Sequence, residues 1–213
     1  MNTICWVKKI YTPDGLVKKN VMGDAKAIDI GCGQRKLPGS IGMDIVSDSG
    51  ADVIHDIERT PWPFEKNSFD LVFMSHALEH TDDVLVVIGE AYRILKPSGR
   101  LVVQVPYFRS IDAFADITHL HFFTSQSLDY VIEGSKLSGY KYVPFRFKKI
   151  GLWYGWPTLS KNPLVRIFKF FIKHFPRFYD QYLSLIMPVS CLTWELEVIK
   201  LNSMQIKHQN NFH

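Results

Sequence analysis

Short apolar runs alternate with turn residues along the first two-thirds of the chain, a pattern typical of an α/β sheet. The runs predict five buried strands, at 27–30, 41–46, 52–55, 69–74 and 101–105. Residues 81–83 supply an N-cap and an acidic first turn, and apolar residues at helical spacing predict a helix that reaches about Lys96. This order of strand, helix and strand favours a parallel sheet with right-handed crossovers.

The last third of the chain predicts two further strands and another helix. Thr124 has the character of an N-cap for a helix that reaches about Lys136, and residues 140–149 predict a sixth strand. Residues 193–201 alternate polar and apolar positions, which indicates a seventh strand with one wetter face near a sheet edge. The tail after Asn202 is polar, and we expect it to be frayed.

A basic helical insertion is predicted between the sixth and seventh strands. Asn162 and Pro163 have the sequence of an N-cap and a first helical position, and Pro176 is expected to kink or end the helix. A second short helix is expected at 177–187. Basic residues recur every three or four positions along one face, and apolar residues cover most of the rest: Arg166, Lys169, Lys173, Arg177, and Leu164, Ile167, Phe168, Phe171, Ile172, Phe175.

Composition and charge limit the class of protein. The 213 residues suit one domain or an elaborated domain, and the 46% hydrophobic and 22% charged content is ordinary for a globular protein. The net charge is +4, but the stretch from Gly134 to Tyr179 contains no acidic residue and ten basic ones. Such a segment indicates an anionic partner, a membrane surface or simply a solvated positive face.

The chain shows neither a disulfide framework nor a membrane span. Three distant cysteines, Cys5, Cys32 and Cys191, favour free thiols in a reducing compartment. No apolar stretch follows the basic residues near the start, and no run of about 20 apolar residues occurs. We therefore expect a cytoplasmic protein, with peripheral contact at the inner face of the membrane as an alternative.

A glycine turn follows the first strand. Gly31 and Gly33 would let the backbone pass close to a nucleoside-like ligand. A pyrophosphate site would need a third glycine, where Lys36 stands, and the N-terminus of a long helix. Only nine residues separate Ile30 from Ser40, whereas a crossover helix needs about a dozen. A cofactor without phosphates fits this shortened crossover better than a dinucleotide does.

Acidic residues follow the next two strands. Asp44 ends the second strand, where its carboxylate can accept hydrogen bonds from both hydroxyls of a ribose. Asp56 follows the third strand and can accept a hydrogen bond from the amino group of an adenine. Either residue could instead be a helix cap or a turn residue. Matched positions on successive strand ends favour a nucleoside site.

These motifs, in this order, resemble those of class I S-adenosylmethionine-dependent methyltransferases with a type 11-like domain. The resemblance covers about Ala25 to Thr124 and rests on residues 29–33, 42–45, 55–57, 69–72, 75–80 and 93–101. It implies S-adenosylmethionine as the cofactor. The residues it assigns to cofactor binding are Asp29, Gly31, Cys32 and Gly33 near the methionine portion, Asp44 and Ile45 at the ribose, Asp56 and Ile57 at the adenine, and Ser75 and His76 closing the pocket.

The predicted fold is α/β: a Rossmann-like, doubly wound, mostly parallel seven-stranded sheet with a shortened first crossover and a C-terminal basic helical insertion before the last strand. Residues 1–24 would form a leader and residues 25–150 the S-adenosylmethionine-binding domain. Residues 151–213 would form a helical lid or membrane-facing insertion plus the final strand. The helix at 163–175 would lie in a membrane interface, cover an acceptor pocket, or pack on the sheet with its basic stripe solvated.

The predicted activity is methyl transfer to a small-molecule or glycan acceptor, lipid-linked or anionic, at an oxygen atom. The alternatives are a non-catalytic Rossmann-like binding module and a nicotinamide-dependent oxidoreductase, which Lys36 and the short crossover disfavour. Nucleic acid is not an expected partner, because no base-recognition motif accompanies the basic segment.

The candidate catalytic residues follow the fifth strand, over the expected pocket. A hydroxyl or amine acceptor needs a proton acceptor, and Asp116, His119 and His121 are the candidates. In an extended segment the two histidines would point the same way, although one of them could instead brace the next helix. We predict no metal, since no confirming ligand spacing accompanies these three residues. His76 and His80 are expected in the pocket wall or at a helix start.

Overall fold

The structure is a computed structural model and describes residues 5–11, 22–155 and 162–200. Its seven strands are β1 Ala27–Ile30, β2 Ile41–Asp44, β3 Val53–Ile54, β4 Phe69–Ser75, β5 Leu95–Pro106, β6 Arg146–Tyr154 and β7 Cys191–Ile199. Its helices are α1 Trp6–Ile10, α2 Val84–Ile94, α3 Asp112–Ala115, α4 Pro163–His174 and α5 Pro176–Phe178, with single 3₁₀ turns at Leu78–His80 and Leu137–Tyr140 and a π turn at Tyr179–Leu183.

The strands form one mixed sheet in the order β3-β2-β1-β4-β5-β7-β6. Strands β1 to β5 pair in parallel, and β7 runs antiparallel between β5 and β6. No helix lies between β1 and β2 within the described residues, so the shortened first crossover is as predicted. The predicted fold class is confirmed. The carboxyl ends of β1 to β6 all meet at one edge, because β5 and β6 are each antiparallel to β7.

The helix predicted after the fourth strand is confirmed as α2, with shorter bounds. Its N-cap is Asp83, whose carboxylate accepts the N–H groups of Leu85 and Val86. The helix ends at Ile94 rather than near Lys96, because Leu95 already pairs with Phe69 at the start of β5. Its buried face holds Val87, Ile88, Ala91 and Ile94 against the sheet.

The helix predicted from Thr124 to about Lys136 is wrong. This segment is a succession of turns whose backbone bonds join residues three apart, such as Val131 to Leu128. Strand β6 takes the groups that a helix would use: Phe147 donates to the carbonyl of Val131 and accepts from the N–H of Glu133. Pairing with a distant strand therefore overrides the local preference.

The last two strands differ from their predicted positions. The sixth was predicted at 140–149, but β6 spans Arg146–Tyr154 because residues 137–140 form a 3₁₀ turn and Lys141 has a positive φ of 55°. The seventh was placed near an edge, but β7 is internal and β6 is the edge strand. Its polar side chains are paired rather than solvated: Glu195 is fully buried and bonds Arg100.

Helix α1 packs against the opposite face of the sheet from α2 in a second apolar cluster. The backbone N–H groups of Trp6 and Val7 donate to the carboxylate of Glu195 at 3.0 and 3.2 Å. Trp6, Val7 and Ile10 are buried there with Leu71, Phe73 and Val102 of β4 and β5. Part of the predicted leader therefore packs on the sheet, while residues 1–4 and 12–21 lie outside the described residues.

The basic insertion begins as predicted. The Asn162 side chain accepts the N–H of Leu164, and α4 follows from Pro163 and ends before Pro176. The second helix is shorter than the predicted 177–187, because α5 and the π turn end at Leu183. Residue 201, the last of the predicted seventh strand, and the tail after Asn202 lie outside the described residues. No described helix has the length and apolar character needed to cross a membrane.

Candidate active site

The glycine turn after β1 leaves open space beside its backbone. Gly31 and Gly33 have positive φ values of 66° and 50°, a conformation that favours glycine. A β-carbon on Gly31 would lie 2.5 Å from that of Ala77, whereas one on Gly33 would meet nothing within 4 Å. Gly31 is therefore required for packing against the loop after β4, and the backbone at Gly33 is accessible to a ligand.

Cys32, between the two glycines, lies under the turn. Its side chain is buried, and burial raises the pKa of its thiol to about 11, with the carboxylates of Asp29 and Asp44 adding to the shift. A thiol in this state is a small apolar group and not a nucleophile. Its contribution to the site is to support the turn from below.

Asp44 lies at the carboxyl end of β2 and holds the glycine turn in place. One carboxylate oxygen accepts the N–H of Gly33 at 2.8 Å, and the other accepts the N–H of Val46 at 2.9 Å. The side chain is half-buried, and each oxygen keeps a further lone pair. Asp44 is thus positioned beside the open space at Gly33, with capacity to accept hydrogen bonds from a ligand.

Asp29 lies in β1, and its side chain contacts the loop that follows the strand. It is 2% exposed and accepts the N–H of Leu37 at 2.7 Å. The pKa of its carboxyl is raised to about 7, mainly by burial, and the nearby charge of Asp44 contributes to this rise. Its hydrogen bond fixes the return of the chain from the glycine turn to β2.

The region predicted to bind the adenine combines exposed apolar groups with a carboxylate. Ile45 and Ile54, at the ends of β2 and β3, are 63% and 53% exposed. The Asp56 carboxylate accepts the N–H of Glu58 at 3.0 Å, and the Arg59 guanidinium lies 3.6 Å away. Ile57 packs partly against the core. Exposed isoleucines next to acids suit a flat aromatic base bonded to a polar sugar.

One carboxylate that the sequence interpretation missed also shapes this region. Asp52 accepts the N–H of Gly42 and the ammonium of Lys36, each at 2.7 Å. The hydrogen bond from Lys36 is the main reason why the pKa of Asp52 lies below its usual value. Lys36, which stands where a dinucleotide motif has glycine, therefore closes the loop rather than facing a phosphate.

A cavity of about 500 Å³ lies beyond the ends of β4 and β5. Its lining consists of His76, Glu79, His80, Pro106, Asp112, Ala115, Asp116, Ile117 and His119. Ser75, the last residue of β4, is half-buried, and its hydroxyl donates to Gln104 at 3.3 Å. His76 follows with a positive φ of 55°. The cavity and the glycine turn therefore meet at the same edge of the sheet, on either side of β4.

Glu79 is the main residue that the sequence interpretation missed. It is fully buried, and neither carboxylate oxygen receives a hydrogen bond from any described residue. The nearest basic groups are His76, with Nδ1 3.2 Å from Oε1, and His119, with Nε2 4.0 Å from it. The one available signal was its position between two histidines in the segment 75–80.

The structure brings together two of the three predicted catalytic residues. Asp116 and His119 line the cavity, and His121 does not. The backbone N–H of His121 donates to the carbonyl of Glu79, while its buried Nε2 has no hydrogen-bond partner among the described residues. The predicted common direction of the two histidines is therefore not realised in one cavity.

Hydrogen bonds fix the orientation of the side chains at the cavity. His119 Nδ1 lies 2.9 Å from the carbonyl oxygen of Ala113, which can only accept, so this nitrogen carries the proton. The Thr118 hydroxyl donates to Asp116 at 2.7 Å and lies 2.9 Å from His80 Nδ1. The side-chain and backbone hydrogen bonds from Thr118 hold the pKa of Asp116 below its usual value.

A family model described as a methyltransferase domain matches residues 28–103. This range includes the glycine turn, the carboxylates after β2 and β3, and the loop that carries Glu79. The chain contains a class I methyltransferase domain. The predicted recognition is confirmed, and S-adenosylmethionine is the cofactor of domains of this class.

Relatives of this methyltransferase domain include two enzymes named for quinone methylation. The chain is 52% identical over 40 residues to a demethylmenaquinone methyltransferase of Lactococcus lactis. This match covers 19% of this chain and 16% of that protein. The chain is 36% identical over 84 residues to the ubiquinone/menaquinone biosynthesis C-methyltransferase UbiE of Geotalea daltonii, covering 38% and 34%. The matches thus span about a third or less of these relatives.

Solved structures share the fold across most of the chain. A S-adenosylmethionine-dependent methyltransferase of Archaeoglobus fulgidus aligns with a TM-score of 0.54 and 18% identity, covering 83% of this chain and 87% of that one. A possible histamine N-methyltransferase of Thermotoga maritima aligns with a TM-score of 0.51 and 15% identity, covering 92% and 89%. At this identity the likeness establishes the fold.

Proposed function

We propose that this protein transfers a methyl group from S-adenosylmethionine to a hydroxyl oxygen of a small-molecule or glycan acceptor. The observation that supports it best is the open space beside Gly33, which the Asp44 carboxylate borders at the end of β2. When bound, S-adenosylmethionine supplies a methyl group that its sulfonium already activates. The chain therefore needs to bind the two substrates, align them and accept a proton, and it does not need to activate the methyl group.

The residues at the glycine turn fit this cofactor. Gly33 permits close approach to the backbone, and Asp44 keeps lone pairs that can accept from the ribose hydroxyls. Ile45 and Ile54 offer apolar surface to the adenine, and Asp56 can accept from its amino group. The absence of a helix between β1 and β2 within the described residues disfavours a pyrophosphate, and with it the oxidoreductase alternative.

The cavity at β4 and β5 is the proposed acceptor site. Its volume of about 500 Å³ lies in the range that small-molecule sites occupy. Glu79 and His119 are the proposed proton acceptors, and Asp116 with Thr118 would orient the neighbouring His80. Proton transfer to a positioned side chain contributes about 10²–10⁴-fold to such reactions.

Apolar side chains at the rim of the cavity favour an acceptor with an apolar portion, such as a lipid-linked glycan. Ile117 lines the cavity and is 97% exposed, and in the same segment, outside the cavity lining, Phe114 stacks on Phe122 with ring centroids 4.6 Å apart. By their names, one relative is a demethylmenaquinone methyltransferase and the other is a C-methyltransferase of ubiquinone and menaquinone biosynthesis. Methylation at carbon is therefore an outcome that the experiment below must separate from methylation at oxygen.

The basic insertion would place this site at the inner face of a membrane in the cytoplasm. Helix α4 follows β6 in the chain, and β6 ends at the edge of the sheet where the cavity opens. Arg166 and Lys173 are exposed together with apolar Leu164 and Ile167, a combination that suits anionic headgroups. Ile172 is the one residue of α4 that packs into the core with full burial.

The activity is tested with S-adenosylmethionine that carries a trideuteromethyl group. The protein is incubated with a panel of quinols, phenols and polyprenyl-linked sugars, and products are identified by mass spectrometry and NMR. An oxygen-bound label supports the proposal, and a carbon-bound label overturns its choice of atom. Calorimetry with S-adenosylmethionine and with NAD⁺ completes the test. No binding of S-adenosylmethionine overturns the proposal, and binding without any turnover favours the non-catalytic module.

The two histidines are compared as separate variants. His119→Ala should leave the affinity for S-adenosylmethionine unchanged and lower turnover by about 100-fold or more, because its ring lines the cavity. His121→Ala should act on thermal stability, since its Nε2 is buried and its ring lies outside the cavity lining. An equal loss of turnover in a well-folded His121→Ala protein would assign the proton acceptor to His121 instead.

Membrane contact is tested by sedimentation with vesicles of phosphatidylcholine alone or with phosphatidylglycerol. The paired change Arg166→Glu and Lys173→Glu should abolish binding to the anionic vesicles. Lys136→Glu, an exposed change in the same acid-free stretch, serves as the control. Equal binding by all three proteins, or no binding by the wild type, would reject this part of the proposal.

A further inference from the structure

We propose that Glu79, His80 and His119 form a binding site for a divalent metal ion of the zinc class. One potential ligand atom from each residue lies within 4.8 Å of the other two. Two imidazole nitrogens and one carboxylate oxygen are a donor set typical of Zn²⁺ sites that keep an open coordination position. The sequence interpretation considered only Asp116, His119 and His121 together and predicted no metal.

The first argument is the charge of Glu79. Its side chain is fully buried, and both of its oxygens lack a hydrogen-bond donor among the described residues. Burial of a carboxylate without compensation is strongly unfavourable, so its charge must be balanced by a cation or a proton. His76 lies 3.2 Å away but is 44% exposed, whereas a metal ion would satisfy the oxygens that face the cavity.

The second argument is the orientation of the two histidine rings. His119 donates its Nδ1 proton to the carbonyl of Ala113, which leaves Nε2 with a free lone pair. His80 Nδ1 lies 2.9 Å from the Thr118 hydroxyl, whose own proton goes to Asp116. Histidines that bind metals commonly donate their other ring N–H to a carbonyl or a carboxylate-linked group in this way.

The third argument is the geometry of the cluster. His119 Nε2 lies 4.0 Å from Glu79 Oε1, and the rings of His80 and His119 meet edge to face with centroids 4.8 Å apart. Ligand atoms bound to one tetrahedral ion at about 2.0–2.2 Å lie about 3.4 Å apart, so small rotations of these side chains would bring them to that separation. The main chain of Glu79 already bonds the loop that carries His119, through Leu120.

The open coordination position of such an ion would face the acceptor cavity. There it would bind an oxygen of the acceptor and lower the pKa of its hydroxyl, as a Lewis acid does. In the metal-bound protein Glu79 and His119 would be ligands rather than proton acceptors, and the proton would pass to the Asp116 carboxylate in the cavity lining. This last step rests on the proposed function, whereas the binding of the ion does not. The metal test therefore uses neither S-adenosylmethionine nor an acceptor.

The experiment titrates Zn²⁺, and in parallel Co²⁺, into tag-free protein that has been stripped with EDTA. We expect one equivalent bound per chain, a rise in thermal midpoint, and visible cobalt bands of a four- or five-coordinate site. Glu79→Gln, His80→Ala and His119→Ala should each weaken binding at least tenfold and remove the cobalt bands. His174→Ala, an exposed histidine on α4, is the matched control and should bind as the wild type does.

Each outcome of this titration decides the proposal. Absence of stoichiometric binding by the wild type, or wild-type affinity in His80→Ala or His119→Ala, would overturn it. Equal weakening in His174→Ala would show an adventitious surface ion and would also overturn it. His80 is exposed, so its variant keeps the core intact even where a change at buried Glu79 unfolds the chain. A failure of S-adenosylmethionine binding would leave this result unaffected.

Discussion

The carboxylates on the two sides of the sheet edge differ in the hydrogen bonds that they accept. At β1 and β2, Asp29 and Asp44 accept hydrogen bonds from backbone N–H groups of the loop that they border. At β4, Glu79 is more deeply buried and receives none from any described residue. The first pair shapes a loop before any ligand enters, and Glu79 remains available for a ligand. A buried acid left without donors is the stronger sign of chemistry.

The largest expected effect is on turnover, and it tests the buried carboxylate of Glu79. Glu79→Gln should lower turnover by about 10²–10⁴-fold, because it removes the buried charge that faces the cavity while keeping the shape of the side chain. The affinity for S-adenosylmethionine, measured by calorimetry, should not change. Glu133→Gln, at an acid that is 61% exposed, is the control. Full turnover in Glu79→Gln would remove this residue from the mechanism.

The next effect is on the free energy of unfolding, and it distinguishes Gly31 from Gly33. Gly31→Ala should lower the free energy of unfolding by about 2–4 kcal/mol, because the new methyl group meets Ala77 and the residue also has a positive φ. Gly33→Ala should cost only about 1–2 kcal/mol, since only its φ opposes the change. Urea denaturation measures both values. Gly33→Ala should nevertheless weaken cofactor binding, and equal affinity would argue against an approach at Gly33.

A smaller effect sharpens the role of Asp44. Asp44→Ala should weaken binding of S-adenosylmethionine by about 1–3 kcal/mol, because hydrogen bonds to a charged acceptor are lost. Calorimetry measures the change, and Asp48→Ala, at an exposed acid of the same loop, is the control. Unchanged affinity in Asp44→Ala would limit this carboxylate to its bonds with Gly33 and Val46.

The smallest effect is a pH dependence from Asp29. Its pKa is about 7 in the folded protein against an ordinary value of 3.8, so the folded chain holds the proton more tightly. The free energy of unfolding should therefore fall as pH rises between these values, by about 1.4 kcal/mol from pH 5 to 6. Asp29→Asn should flatten this fall in thermal melts. An unchanged slope would show that Asp29 is not the source.

Local patterns in the sequence predicted the glycine turn and the acids at the ends of β2 and β3. The glycine turn and the acids after β2 and β3 are contiguous with their strands, so turn chemistry and apolar runs were enough to place them. The shortened crossover needed only the distance from Ile30 to Ser40. These features depend on neighbours within about a dozen residues.

Most of the errors involve partners that are distant in sequence. The alternation around Glu195 indicated a solvated edge, but Arg100 of β5 pairs with that carboxylate. The helix after Thr124 is replaced by turns because Phe147 binds the backbone there. Glu79 carries no local sign of burial, because the loop at 116–121 and the core around α2 exclude water from it. His121 was grouped with His119 on spacing alone, although only His119 lines the cavity.

The bond between α1 and β7 has a consequence for biosynthesis. Trp6 and Val7 leave the ribosome early, but the carboxylate that receives their N–H groups belongs to Glu195, 189 and 188 positions later. Until Glu195 has been synthesised, α1 is not bonded to β7, and the apolar surface of Leu71, Phe73 and Val102 is not stably covered. Exposed apolar surface on a nascent chain promotes aggregation. A chain interrupted before residue 195 should therefore depend on chaperones far more than a chain that includes β7 does.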